Sequence, residues 1–243
     1  MIITGTTEEL LLAAARNNAD WCDAVCRAHG VRGAFTADAW TSVLRTPPLY
    51  PDAVSLTPGA SAAALADAVD TASPGCSVKD SFAALDLAPA GFEVLFEAQW
   101  IHRPAAGAGA APAADGRLEW SEVATAGELD VWEAAWDGEE STGLFRPALL
   151  GEDLVFLAGR VGGGGAVVAG AVVSSGGGVV GVSNLFAHDD ADTGEAWAAA
   201  VARAGERWPG LPVVGYEGGD DLEAAVRAGF TPLGPLRVWL HTA

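Results

Sequence analysis

The sequence predicts an α/β fold of the α+β kind, a mixed central sheet flanked by helices. The first observation is the stretch 179–208, which runs an apolar strand through a short polar turn into a long helix. Val179, Val180, Val182 and Leu185 favour β structure, whereas Ala196, Trp197, Ala200, Val201, Ala204 and Trp208 recur at helical spacing. The second is the pair of apolar strands just before it, DLVFLAGRV and AVVAGAVVSS, which with residues 179–187 read as a meander. The third is the alternation of strands and amphipathic helices in both halves of the chain.

In chain order, Thr6 to His29 reads as a helix closed by Gly30. A turn-rich passage with Pro47, Pro48 and Pro51 follows, then a short strand in 52–60 and a helix over 61–72 capped by Ser61. CSVKD reads as a strand, DSFAALDLA as a helix, and GFEVLFEAQWIHR as a strand with Phe92, Val94 and Phe96 on one side. Residues 104–117, PAAGAGAAPAADGR, have almost nothing to bury and read as a linker between units 1–103 and 118–243.

In the second half, LEWSEVATA predicts a strand and turn. AGELDVWEAAWDG predicts a helix with Leu129, Trp132 and Trp136 in register, and LFRPALLG a short helix with Pro147 in its first turn. Gly162 to Gly165 and Gly176 to Gly178 read as hairpin turns rather than phosphate loops, because strands follow them. LPVVGYEGG gives a strand and turn, DDLEAAVRAGF a helix stopped by Gly229, and TPLGPLRVWLHTA a final strand pair broken at Gly234 and Pro235. The nine tryptophans fall mostly on apolar faces, where core packing is expected.

Composition narrows the function. The chain has 243 residues, half of them apolar, and a formal charge of −19 with Lys79 as its single lysine. Such a balance argues against nucleic acid and anionic membranes as partners, since phosphates are bound by basic surfaces. No run approaches the roughly 20 apolar residues of a membrane span, and MIITGTTEEL lacks the cationic start and apolar core of a secretory signal, so a cytoplasmic location is expected. Cys22 and Cys26 lack the further ligands that zinc requires; packed thiols and no metal site are expected.

From Trp120 to Leu240 the order of elements, and in particular VVAGAVV, GVSNLFA, the long helix and VVGYEGGDDLEAAVRAGFTPLGPLRVW, resembles the GNAT (N-acetyltransferase) superfamily. The resemblance implies acetyl-coenzyme A as co-substrate, lying against the strand over Val179–Ala187 with its pyrophosphate on the N-terminus of the following helix. The backbone of Leu185, Phe186 and Ala187 would then hold the pantetheine arm, and Gly194, Glu195 and Ala196 the pyrophosphate. The family's pyrophosphate loop carries Arg or Gln where this chain has Ala191, and Asp189, Asp190 and Asp192 stand beside it. Where many members carry an acidic tyrosine, this chain has Ala225, and Tyr216 lies near. DSFAALDLAPAGF before WIH parallels DDLEAAVRAGF before WLH, so the first half reads either as a shortened second GNAT-like unit or as an unrelated extension.

Acyl transfer from a thioester to an amine needs a base for the amine, donors for the oxyanion and an acid for the thiolate. Glu217 and His188 are the candidate bases and Tyr216 the candidate acid; His188, with an ordinary pKa of about 6.5, could act through a water. An acidic surface favours a cationic amine as acceptor. A catalytically silent GNAT-like ligand-binding or assembly module is the alternative, and pairing of two chains as a homodimer a third reading.

Overall fold

The computed structural model describes residues 6–105, 117–138, 141–162, 164–188 and 191–242. The chain opens with α1 (Thr7–Ala28), whose N-terminus is closed reciprocally: the Glu9 N–H donates to Thr6 Oγ1 at 3.2 Å and the Thr6 N–H to Glu9 Oε2 at 2.7 Å. Then come β1 (Ala34–Phe35), β2 (Ala39–Thr41), β3 (Ala53–Ser55), α2 (Ala62–Ala68), β4 (Ser77–Asp80) and the long β5 (Phe92–Arg103). The second half consists of β6 (Leu118–Glu122), α3 (Ala126–Asp137), β7 (Leu154–Val161), β8 (Val167–Gly176), β9 (Val179–Ala187), α4 (Thr193–Arg207), β10 (Val213–Glu217), α5 (Gly219–Arg227) and β11 (Thr231–His241).

All eleven strands form one sheet in the order β1-β2-β3-β4-β11-β5-β10-β9-β8-β7-β6. The pairs β3/β4 and β9/β10 are parallel and the others antiparallel. The order is close to symmetric about the β5/β11 pair, which runs from His102 opposite Thr231 to Phe92 opposite His241. In each half a strand, a helix and a parallel strand lead into one of these two long strands, and each long strand then pairs with the other half: β5 with β10, β11 with β4. Residues 1–103 and 118–243 therefore share a ladder, with β5 lying between β10 and β11. Of the linker expected at 104–117, residues 106–116 lie outside the described residues.

Helices α1 and α3 cover one face, over a cluster in which Trp132 packs against Phe145, Phe156 and Phe186 at centroid distances of 5.4, 5.0 and 5.4 Å. Helices α4 and α5 cover the other, with Trp197 against Phe230 at 4.6 Å. The first helix joins the halves: Asn17, buried on α1, donates to the Ser174 carbonyl at 3.1 Å. A Cβ at Gly181 would clash with the Asn17 side chain, so glycine lets β9 lie under this helix with Asn17 in place. Trp21, Trp40, Trp100, Trp132, Trp197 and Trp239 are all buried. Cys22, Cys26 and Cys76 are free and buried; burial pushes the thiol of Cys22 up to about 11 and that of Cys26 to about 12.

Three local expectations are corrected. DSFAALDLA is not a helix, because the Asp80 carboxylate captures the amides of Phe82, Ala84 and Leu85 and Ala83 turns left-handed at φ 50°; only a short 3₁₀ turn, Ala88–Ala90, follows. TPLGPLRVWLHTA forms one strand rather than a pair, its irregularity at Pro232/Gly234 absorbed by a register shift against β5. On β5, Phe92 is buried but Val94 and Phe96 are exposed, because residues 93–97 are left uncovered on both faces of the sheet.

Candidate active site

The site begins where two parallel strands separate. Val180 lies opposite Val213 and Gly181 opposite Val214, and among the described residues the β9/β10 ladder stops there. Beyond it β9 bulges: its register on β8 shifts between Ser183 opposite Val172 and Phe186 opposite Gly170, with Asn184 left-handed at φ 50°. A bulge bends its strand and adds twist, which carries the end of β9 away from β10. The strands stay tight just before the split, where a Cβ on Gly215 would lie 3.2 Å from the Val182 carbonyl.

The gap opens on a cavity of about 230 Å³ walled by α1, β4, β9 and β10, with Asn18, Lys79, Leu185, Tyr216 and Glu217 in its lining. Of the residues singled out in the sequence, Tyr216, Glu217 and Leu185 come together in this lining. Burial, and next to it the charge of Asp221, push the Glu217 carboxyl up to about 8. The Tyr216 hydroxyl accepts from Lys79 Nζ at 3.0 Å, and its ring meets Trp100 edge-on at 5.5 Å. Lys79 Nζ also donates to Asn18 Oδ1 at 2.9 Å and lies 4.1 Å from the centroid of the Tyr216 ring.

Sequence reading missed Lys79, Asn18 and Tyr50, which also line this space. The available signal was that the chain's one lysine stands in CSVKD, a stretch expected to be a strand, and a cation buried in a sheet survives only with partners. His188 is placed apart from the cavity lining: its Nε2 is 2.6 Å from the Ala135 carbonyl and its ring 5.1 Å from Phe186.

The backbone candidates divide. The His188 N–H donates to the Val168 carbonyl at 2.8 Å, so alternation along β9 turns the Phe186 amide toward β8 and the Ala187 amide toward the gap. Leu185 sits at the bulge and lines the cavity. At the start of α4 the amides are already engaged. Asp192 caps the helix, its Oδ1 accepting from the Gly194 N–H at 2.8 Å and its carbonyl from the amides of Glu195 and Ala196 at 2.9 and 3.2 Å. The Glu195 carboxylate ties in β6, accepting from the Leu118 N–H at 3.0 Å and Trp120 Nε1 at 3.4 Å. Asp189 and Asp190 lie outside the described residues.

A split parallel pair, a bulged strand before it and a helix directly after it make a slot for a thin, extended ligand. The chain is similar over most of its length to a GCN5-related N-acetyltransferase from Kribbella flavida, with 17% identity, a TM-score of 0.62, and coverage of 93% of this chain and 95% of that one. The fold is GNAT-like. A GNAT-family protein from Novosphingobium aromaticivorans matches at 14% identity and TM-score 0.60, covering 95% and 99% of the two chains. A Drosophila protein matches at 13% and 0.54, covering 86% and 76%. At these identities the likeness is one of fold. No protein-family model matches the chain, and no curated protein matches it.

Measured against an acyl-coenzyme A, the GNAT-like frame fits in one part and not in another. The gap beside Leu185 and Ala187 suits a pantetheine arm, whose amides pair with strand backbone. The start of α4 holds a carboxylate where a pyrophosphate would seat, because Asp192 already occupies the Gly194 amide. Ala225 is fully buried on α5, facing the Trp197 cluster, and leaves no acid from that position. Among the described residues no group of His, Cys, Asp and Glu has the arrangement to hold a metal ion, and no helix is long and apolar enough to cross a membrane.

Proposed function

We propose that this chain is an N-acetyltransferase that moves an acetyl group from acetyl-coenzyme A to an amine. The observation that carries the reading is the separation of β9 from β10 at the Asn184 bulge, directly onto Glu217 and Tyr216. The thioester would enter the gap with its carbonyl near the Ala187 amide. The amine nitrogen attacks that carbonyl, a C–N bond forms and the C–S bond breaks. Glu217 takes the proton the amine loses, and the Tyr216 hydroxyl gives its proton to the departing thiolate. The chain's net charge of −19 favours an acceptor that arrives as an ammonium.

Because the Glu217 carboxyl is pushed up to about 8, it is mostly protonated at neutral pH and becomes a base above that. Turnover should therefore rise with pH through about 8, and Glu217→Gln should remove that rise and lower kcat by about 10²-fold or more while leaving cofactor affinity in place. Calorimetric titration with acetyl-coenzyme A at low and moderate salt tests the first step. No saturable heat and no thermal stabilisation would remove the transferase reading. The Asp192 cap favours a second reading in that event, a catalytically silent GNAT-like module in which the helix end serves the fold alone.

A further inference from the structure

Lys79 is 4% exposed, yet no carboxylate pairs with it among the described residues. Its ammonium carries three N–H groups, and two are taken, by Asn18 Oδ1 and the Tyr216 hydroxyl. A buried cation held by two neutral oxygens and the face of the Tyr216 ring still has a donor and an unpaired charge to offer. The Tyr50 hydroxyl, on a residue 7% exposed, has no hydrogen-bond partner among the described residues.

Lys79, Tyr50 and Tyr216 all stand on the wall shared by the catalytic cavity and a second cavity of about 540 Å³. The second cavity is lined largely by apolar groups, among them Pro47, Pro48, Phe96 and Leu240. The other cation at its edge, Arg45, is neutralised: it pairs with Asp52 and donates to the carbonyls of Asp70 and Ser73. The shared wall thus brings together a cation with no carboxylate partner, a tyrosine whose buried hydroxyl has no hydrogen-bond partner among the described residues, and an apolar chamber beside them.

We propose that the acceptor amine carries a carboxylate and an apolar body, an amino acid or a close relative, with its carboxylate on Lys79 Nζ and the Tyr50 hydroxyl and its body among Pro47, Pro48, Phe96 and Leu240. One negative charge fits this wall; a phosphate dianion would exceed it. The assignment rests on the transferase reading and is tested separately from it. The full chain is given acetyl-coenzyme A and matched pairs of amines, leucine with isoamylamine and phenylalanine with phenethylamine, and kcat/KM is compared within each pair. A hydrogen bond to a charged group is worth about 1.5–3 kcal/mol, so the carboxylate partner should be preferred by about 10–100-fold.

The preference ratio should collapse toward unity in Lys79→Met. In Tyr50→Phe, which keeps the ring and removes an unpaired hydroxyl, it should fall about tenfold with thermal stability equal or higher. A wild-type enzyme that prefers the decarboxylated amine, or a Tyr50→Phe variant with full preference, overturns the assignment. Direct calorimetry of leucine and isoamylamine without acetyl-coenzyme A separates the two readings. Leucine bound in preference, with no acetyl transfer to either amine, sinks the transferase and keeps the carboxylate site, whereas equal or absent binding of both sinks the site.

Discussion

Glu133 shows how a single buried carboxylate sets a loop. It is 1% exposed and accepts from the amides of Thr142, Leu144 and Phe145 and from the Thr142 hydroxyl, at 2.8 to 2.9 Å. Burial alone would raise its pKa, but these donors outweigh that and hold it below the usual value. Its contribution is therefore present above the unfolded value near 4.5 and is lost as pH falls through the lower folded value. Glu133→Ala should cost about 2–4 kcal/mol in urea unfolding at pH 7, and a loss under 0.5 kcal/mol would count against the clamp. Glu217 has the opposite sign. Its folded value is raised, so wild-type stability should decline as pH rises from about 4.5 to about 8, at up to roughly 1.4 kcal/mol per unit, and Glu217→Gln should flatten that decline. Neither direction is legible in sequence, where one is a glutamate within a helix and the other a glutamate at a strand end.

The elements themselves were readable because their signals are local. Thr6 with Glu9 and Thr125 with Glu128 start helices by the same reciprocal bonds, and Gly30, Gly138 and Gly229 follow helix ends at positive φ. The failures were also local, at places where a side chain competes with the backbone, as Asp80 does in the stretch expected to be helical. The start of α4 carries the sharpest prediction of this kind. Asp192→Ala removes a cap and should lower stability by about 1 kcal/mol, and if acetyl-coenzyme A seats there the same change should tighten its binding by freeing the Gly194 amide. Thermal denaturation and calorimetry on one variant would show the two effects with opposite signs; weaker binding would place the diphosphate elsewhere. Asn184 gives a companion test. Asn184→Val forces a β-branched residue to φ 50° and should destabilise by about 1–2 kcal/mol while narrowing the gap, whereas Asn184→Gly should keep both stability and binding.

Across the whole molecule the two halves depend on each other through the strands they exchange. β10 has β5 as its long antiparallel partner, and β11 lies between β5 and β4. A fragment of residues 118–243 alone would expose the β10 edge and leave β11 unpaired, so it should lack a cooperative thermal transition, and adding residues 1–103 in trans should restore one. Independent folding of the fragment would show that the exchange is dispensable. The strand order is close to symmetric about β5 and β11, and Lys79, from the first half, lies against Tyr216 of the second. By itself the sequence determined the fold class, most element positions and the pairing of Tyr216 with Glu217 at a strand end, because propensity, caps and periodicity act within a few residues. Only the tertiary structure decided that the halves interleave, that β9 and β10 part at Asn184, and that Lys79 and Tyr50 face the same space. Those facts depend on which residues distant in the chain come together, and burial then sets the state of each: Lys79 is left with Asn18 and Tyr216 as its partners and the Glu217 carboxyl is pushed up to about 8, through neighbours that the linear order does not name.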